Sequence, residues 1–194
     1  MPDIFSYDLL RGLTLPGCAV CRALDADDRR WMDSFRREGR RDRDARGRFF
    51  DTGGFCRAHA LLLHRLASES GSERAVEDLY GGLAARDLGA LESIPASLDR
   101  RRECTACSFR AGAEERKAHF FAEALHDEQV REAYLRSQGL CFAHLARTSE
   151  AALSADDSET ARLLLDDWHE RLVTLCEQRS WTQLIRLYVG EDLS

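Results

Sequence analysis

Residues 54–59 read Gly54-Phe-Cys56-Arg-Ala-His59, and residues 139–144 read Gly139-Leu-Cys141-Phe-Ala-His144. A CxxC stands upstream of each: Cys18-Ala-Val-Cys21 and Cys104-Thr-Ala-Cys107. Six of the seven cysteines and two of the six histidines therefore fall into two CxxC…GxCxxH sets, offset by 85 or 86 residues. Three thiolates and one imidazole make a complete tetrahedral shell for zinc. A full ligand set that recurs in register is not a chance arrangement.

The segments between these motifs read as helix. No run of alternating β-branched residues and no Asn-Gly or Asp-Gly hairpin signal occurs. After the first CxxC, Leu24, Trp31 and Phe35 share one helical face; after the second, Phe109, Ala113, Phe120 and Ala124 do so. Each of these helices leads into a polar connector and then a glycine. Gly54 and Gly139 are expected to supply a positive φ or a tight turn that lets backbone N–H groups approach the third cysteine. Positions i and i+3 of a helix share a face, so Cys56 with His59, and Cys141 with His144, can reach one ion. A further helix follows in each half, over about 73–92 and 159–179, with Ser72 and Ser158 as expected N-caps. The amphipathic stretch from Trp181 to Val189 is expected to pack back on the core.

The expected fold class is therefore all-α: two pseudo-symmetric helical repeats, each stapled by a Cys3His metal site. Residues 1–92 form the first repeat, 93–103 a linker with Pro95, and 104–194 the second repeat with its C-terminal helix, packed as one domain. The expected ligand sets close within each repeat. Site 1 takes Cys18, Cys21, Cys56 and His59; site 2 takes Cys104, Cys107, Cys141 and His144. Closing a loop of ~35 residues costs little chain entropy, which favours this pairing over exchange between halves.

Composition narrows the class. The 194 residues are 44% hydrophobic and 32% charged, as in ordinary globular proteins. A formal net charge of −6 gives no global attraction to nucleic acid or anionic membrane. Leu15-Pro-Gly-Cys18 superficially resembles a lipoprotein cleavage box, but Asp3, Asp8 and Arg11 interrupt the apolar stretch that an export signal needs. The expectation is a cytoplasmic protein without a membrane span, where reduced cysteines serve as metal ligands before disulfides. Cys176, the odd one, is expected to be a small buried hydrophobe.

Four protein ligands leave no open position for a substrate water, which makes each site a structural one, with two Zn2+ per chain. Two iron–sulfur clusters are the alternative, against which stands the lack of a compact CxxCxxC run. A c-type haem needs histidine directly after CxxC, where Arg22 and Ser108 stand.

The tandem motifs resemble an uncharacterised bacterial family known only as a domain of unknown function, whose repeats read Cys-Pro-x-Cys followed by Gly-Phe-Cys-x-x-His. The similarity spans roughly residues 16–178. Ala19 and Thr105 occupy the positions where proline is usual. The resemblance implies a helical metal-binding protein and carries no activity with it.

Other features weigh less. Residues 29–48 hold nine arginines against four acids, so Arg36, Arg37, Arg40 and Arg41 are candidate contacts to nucleic acid or an acidic partner, with Trp31 and Phe35 available for stacking. The second repeat has no matching run, and a solvated helix face is the simpler reading. His119, Glu123 and His126 share a helix face and form a candidate second metal constellation, but a polar face explains them as well. His64, five residues after His59, is read as a surface residue. No Gly-rich phosphate loop, Ser-His-Asp order or nucleophile elbow appears. The sequence therefore points to a non-enzymatic, metal-binding module that acts on a protein partner. An iron–sulfur redox protein and a nucleic-acid-binding regulator are the competing readings.

Overall fold

A computed structural model describes residues 4–39, 41–90 and 104–190. The expected linker at 93–103, with Pro95, and Arg40 lie outside the described residues. Within them the chain is all-α, with ten helices and no strand: α1 (Ile4–Leu13), α2 (Ala19–Glu38), α3 (Arg43–Asp51), α4 (Arg57–Glu69), α5 (Glu73–Ala90), α6 (Thr105–Ala124), α7 (Glu128–Arg136), α8 (Phe142–Ser154), α9 (Ser158–Glu177) and α10 (Trp181–Val189). No helix among the described residues is long and apolar enough to cross a membrane.

The repeat is visible element by element. Helices α2 and α6 each have 20 residues, α3 and α7 nine, and α4 and α8 thirteen. The stretch expected as a polar connector is thus a short helix in both halves. Asp42 caps α3 by accepting from the N–H groups of Asp44 and Ala45, and Asp127 caps α7 by accepting from Gln129 and Val130. Each connector helix buries one ring, Phe49 or Tyr134, against the long helix before it. Phe49 lies 5.9 Å from Phe35, and Tyr134 lies 5.7 Å from Phe121, centroid to centroid. These rings occupy matching repeat positions. Phe121, rather than the expected Phe120, is therefore the buried aromatic of α6.

Two compact units form, and they do not coincide with the repeats. One comprises the described residues up to Asp25 together with those from Ala113 onward; the other comprises the described residues of Ala26–Gly112. The boundaries fall inside α2 and α6, so each unit draws on both repeats. In the first unit the core gathers Leu13, Val20, Leu24, Phe121, Tyr134, Leu140 and Leu164. In the second it gathers Met32, Phe35, Phe49, Phe55, Leu63, Leu79 and Leu83.

Several local expectations are corrected. Asp157, not Ser158, is the N-cap of α9, accepting from the Thr160 N–H at 3.0 Å. Ser72 does precede α5, but its hydroxyl is engaged by Arg36 Nη1 at 2.8 Å. Cys176 is exposed rather than buried.

Candidate metal centres

Each GxCxxH is built by a turn feeding a helix. Gly54 and Gly139 have φ of +89° and +78°, the left-handed region where a side chain is strained. Space is short as well: a Cβ on Gly139 would stand 2.9 Å from Arg171 Nε. Arg171 holds this turn by donating to the carbonyls of Ser137 (2.7 Å) and Leu135 (3.1 Å), acceptors left open at the end of α7. Arg86, at the matching position of the first repeat, donates to the Phe50 carbonyl in the same way. The turns place Cys56 and Cys141 at the N-caps of α4 and α8, with His59 and His144 one turn further on.

All eight expected ligands are gathered into two groups, but the partition differs from the expected one. Cys18 and Cys21 meet Cys141 and His144, whereas Cys56 and His59 meet Cys104 and Cys107. In each group the four donor atoms lie within 4.8 Å of one another. Each tetrad thus takes its CxxC from one repeat and its CxxH from the other, and each lies wholly inside one compact unit.

Helix length explains the exchange. Twenty residues of α2 extend ~30 Å, and nine residues of α3 bring the chain back only about half that distance. The CxxH turn is thereby delivered beside Asp28, midway along α2. His59 Nε2 indeed lies 3.7 Å from Asp28 Oδ2. Loop entropy is too small to decide the pairing. Lengthening a closed loop from ~35 to ~120 residues costs only about 1 kcal/mol, less than distorting a rigid helix.

In the first group, His144 Nδ1 stands 3.4 Å from Cys18 Sγ and 3.2 Å from both Cys21 and Cys141, with Cys21 and Cys141 3.7 Å apart. In the second, His59 Nδ1 lies 3.2, 3.5 and 3.8 Å from Cys56, Cys107 and Cys104, with Cys56 and Cys107 3.6 Å apart. Nδ1 is the inward-facing nitrogen of both rings. Nε2 of each turns to a carboxylate, Asp28 for His59 and Glu114 for His144 at 3.3 Å. Each carboxylate also meets an arginine, Arg110 with Asp28 and Arg147 with Glu114.

Crowding shapes the titration of these groups. Hydrogen bonds from Cys18 and Cys21 hold the Cys141 thiol far below its ordinary value, while the bond to Cys141 pushes Cys21 far above it. Burial opposes charge on His144, but the Cys141 and Cys18 sulfurs outweigh it and raise the ring to about 10. Burial and the neighbouring Cys56 sulfur push Cys107 up to about 12. Burial also acts upward on Cys56, yet the backbone and ring N–H groups of His59 bring it down to about 7. One thiolate per group is thus favoured and the next opposed. Such a donor set could hold a cation, whose charge would favour the ionised sulfurs.

The remaining candidates are not brought into a site. His119 and Glu123 are exposed, and exposed His126 is paired with Asp157 at 2.8 Å, so they join neither metal-holding group among the described residues. His64 is exposed on α4. Trp31 and Phe35 are not a stacking platform: Trp31 packs on Phe109 and Phe35, and Phe35 meets Phe55 at 4.8 Å. Arg36 is tied to Asp33 and Ser72, and Arg37 also meets Asp33, while Arg41 is exposed.

Asp28 and Glu114 escaped the sequence reading. Their signal was present: each stands ten residues after the first cysteine of its CxxC, the one acidic type kept at that repeat position. Comparison with protein-family models, curated proteins and solved structures gives no match.

Proposed function

We propose that the chain is a zinc-stapled helical module, with two structural Zn2+ and an interaction role. The observation that carries this reading is the size of the two donor tetrahedra. Zinc bonds of ~2.3 Å to sulfur and ~2.0 Å to nitrogen require edges of about 3.8 Å between sulfurs and about 3.6 Å from sulfur to nitrogen. The sulfur–sulfur separations of 3.7 and 3.6 Å, within groups spanning no more than 4.8 Å, fit one ion per group. An iron–sulfur cluster would insert an inorganic core between its ligands and hold them further apart. Thiolate-rich tetrahedral sites with an imidazole favour zinc among single ions.

The paired carboxylates support a metal role for the imidazoles. A carboxylate on Nε2 fixes the ring orientation and the tautomer that leaves Nδ1 free to ligate. The exchanged ligand sets support a structural role, because each site ties segments far apart in the sequence. An interaction role is supported by α10, which leaves Trp181, Ile185, Tyr188 and Val189 exposed beside exposed Phe142, whose ring lies 6.0 Å from that of Tyr188. Such apolar surface suits a protein partner better than nucleic acid, and a cytoplasmic setting would keep the thiols reduced.

Anaerobic purification with metal analysis and a visible spectrum tests this reading. Two zinc per chain and no colour are expected. Iron with inorganic sulfide and broad absorbance near ~400 nm would overturn it.

A further inference from the structure

A cavity of about 580 Å3 lies within the first compact unit, between α9, α10 and the turn that carries Cys141. Its size is in the range of small-molecule sites, ~300–1,000 Å3. Leu140, Leu175 and Leu187 supply apolar wall, and Leu140 and Leu187 are themselves buried. Four charged side chains line it. Asp167 and Arg171 neutralise each other at 2.7 Å, and Arg171 is further committed to the turn carbonyls. Glu170 and Arg186 are different: neither has an ion-pair partner among the described residues, and both are exposed at the cavity.

One unpaired carboxylate, one unpaired guanidinium and a leucine-lined wall describe the complement of a small zwitterion with an apolar body. We propose that this cavity binds an apolar amino acid or a short apolar peptide. Arg186 takes the carboxylate, Glu170 takes the ammonium, and the leucines take the aliphatic side chain. Guanidinium–carboxylate pairs are the stronger, directional hydrogen bonds, so Arg186 sets orientation. The cavity also touches Cys18 and Cys141, so a ligand there braces the elements that carry two metal ligands.

The test is a 1H–15N titration of the full, metal-loaded chain with leucine, trileucine, N-acetyl-leucine (no ammonium) and leucinamide (no carboxylate). Saturable shifts centred on Leu140, Leu175 and Leu187 are expected with leucine or trileucine, and the tighter of the two identifies the source. Blocking either end should weaken binding about tenfold. Arg186→Gln should abolish the discrimination against leucinamide, and Glu170→Gln that against N-acetyl-leucine; both side chains are exposed, so the fold persists. No saturable shift at these residues up to ~10 mM would overturn the proposal, as would equal binding of free and blocked ligands.

Discussion

The Glu114 carboxylate lies 3.3 Å from Nε2 of His144, on the ring edge opposite the Nδ1 that faces three sulfurs. Asp28 stands in the same relation to His59 at 3.7 Å. In both repeats the acid comes from the long helix and the histidine from the same repeat, while the CxxC that meets the histidine comes from the other. The carboxylate–histidine pair thus follows the repeat and the Cys3His group crosses it.

Removing either acid should therefore weaken one metal and spare the other. Glu114→Gln is expected to lower affinity at the Cys18–Cys21–Cys141–His144 site by about 10- to 100-fold. Asp28→Asn should do the same at the other site. Chelator competition monitored in two phases reads this directly; a uniform effect on both metals would contradict the assignment.

Gly139→Ala should destabilise the chain by about 2 kcal/mol. Its φ of +78° is strained for any side chain, and the new methyl would meet Arg171 Nε at 2.9 Å, dislodging it from the carbonyls of α7. Gly12→Ala is the control, since its Cβ would meet nothing within 4 Å. Urea midpoints for the two variants check the difference.

Asp157→Ala should cost about 1 kcal/mol through loss of the α9 cap. The carboxyl is lowered from 3.8 to about 2, first by the Thr160 hydroxyl and N–H and then by His126. A depressed folded value means that this stabilisation is complete above about pH 4 and fades as pH falls through about 2. The thiolate sites release their metal at higher pH than this, so the cap is tested where the carboxylate is fully ionised. Urea midpoints at neutral pH should fall for Asp157→Ala and much less for Asp157→Asn, and equal losses would assign the effect to something other than the capping hydrogen bond.

Stripping metal with a strong chelator should unfold the chain rather than merely loosen it. Structural zinc contributes on the order of 10–16 kcal/mol in small metallodomains, as much as a domain's whole stability. Circular dichroism should lose most helical signal on chelation and regain it with Zn2+. Retention of full helicity without metal would contradict a structural role.

Much of this was legible in the sequence. The eight Cys and His side chains of the two groups were, because CxxC and GxCxxH constrain residue type at fixed spacing. The positive φ at Gly54 and Gly139 was, because only glycine is unstrained there. The connector helices α3 and α7 were hidden in polar sequence, since each buries chiefly one ring, Phe49 or Tyr134, and carries charge elsewhere. Cys176 misled because an apolar helical stripe does not say which face remains exposed. The pairing of half-sites was obscured for a different reason. Loop length is a flexible-chain quantity, whereas α2 and α6 are continuous helices of 20 residues and the nine-residue α3 and α7 retrace only about half of that length.

The exchanged pairing is tested most directly by metal stoichiometry in two double variants. Cys21→Ser with Cys141→Ser removes two ligands from one site, so the account predicts that one zinc per chain remains. Cys21→Ser with Cys56→Ser damages both sites, and no tightly held zinc should remain. The reverse outcome, no zinc in the first variant and one in the second, would show that each repeat closes its own site and would contradict the account.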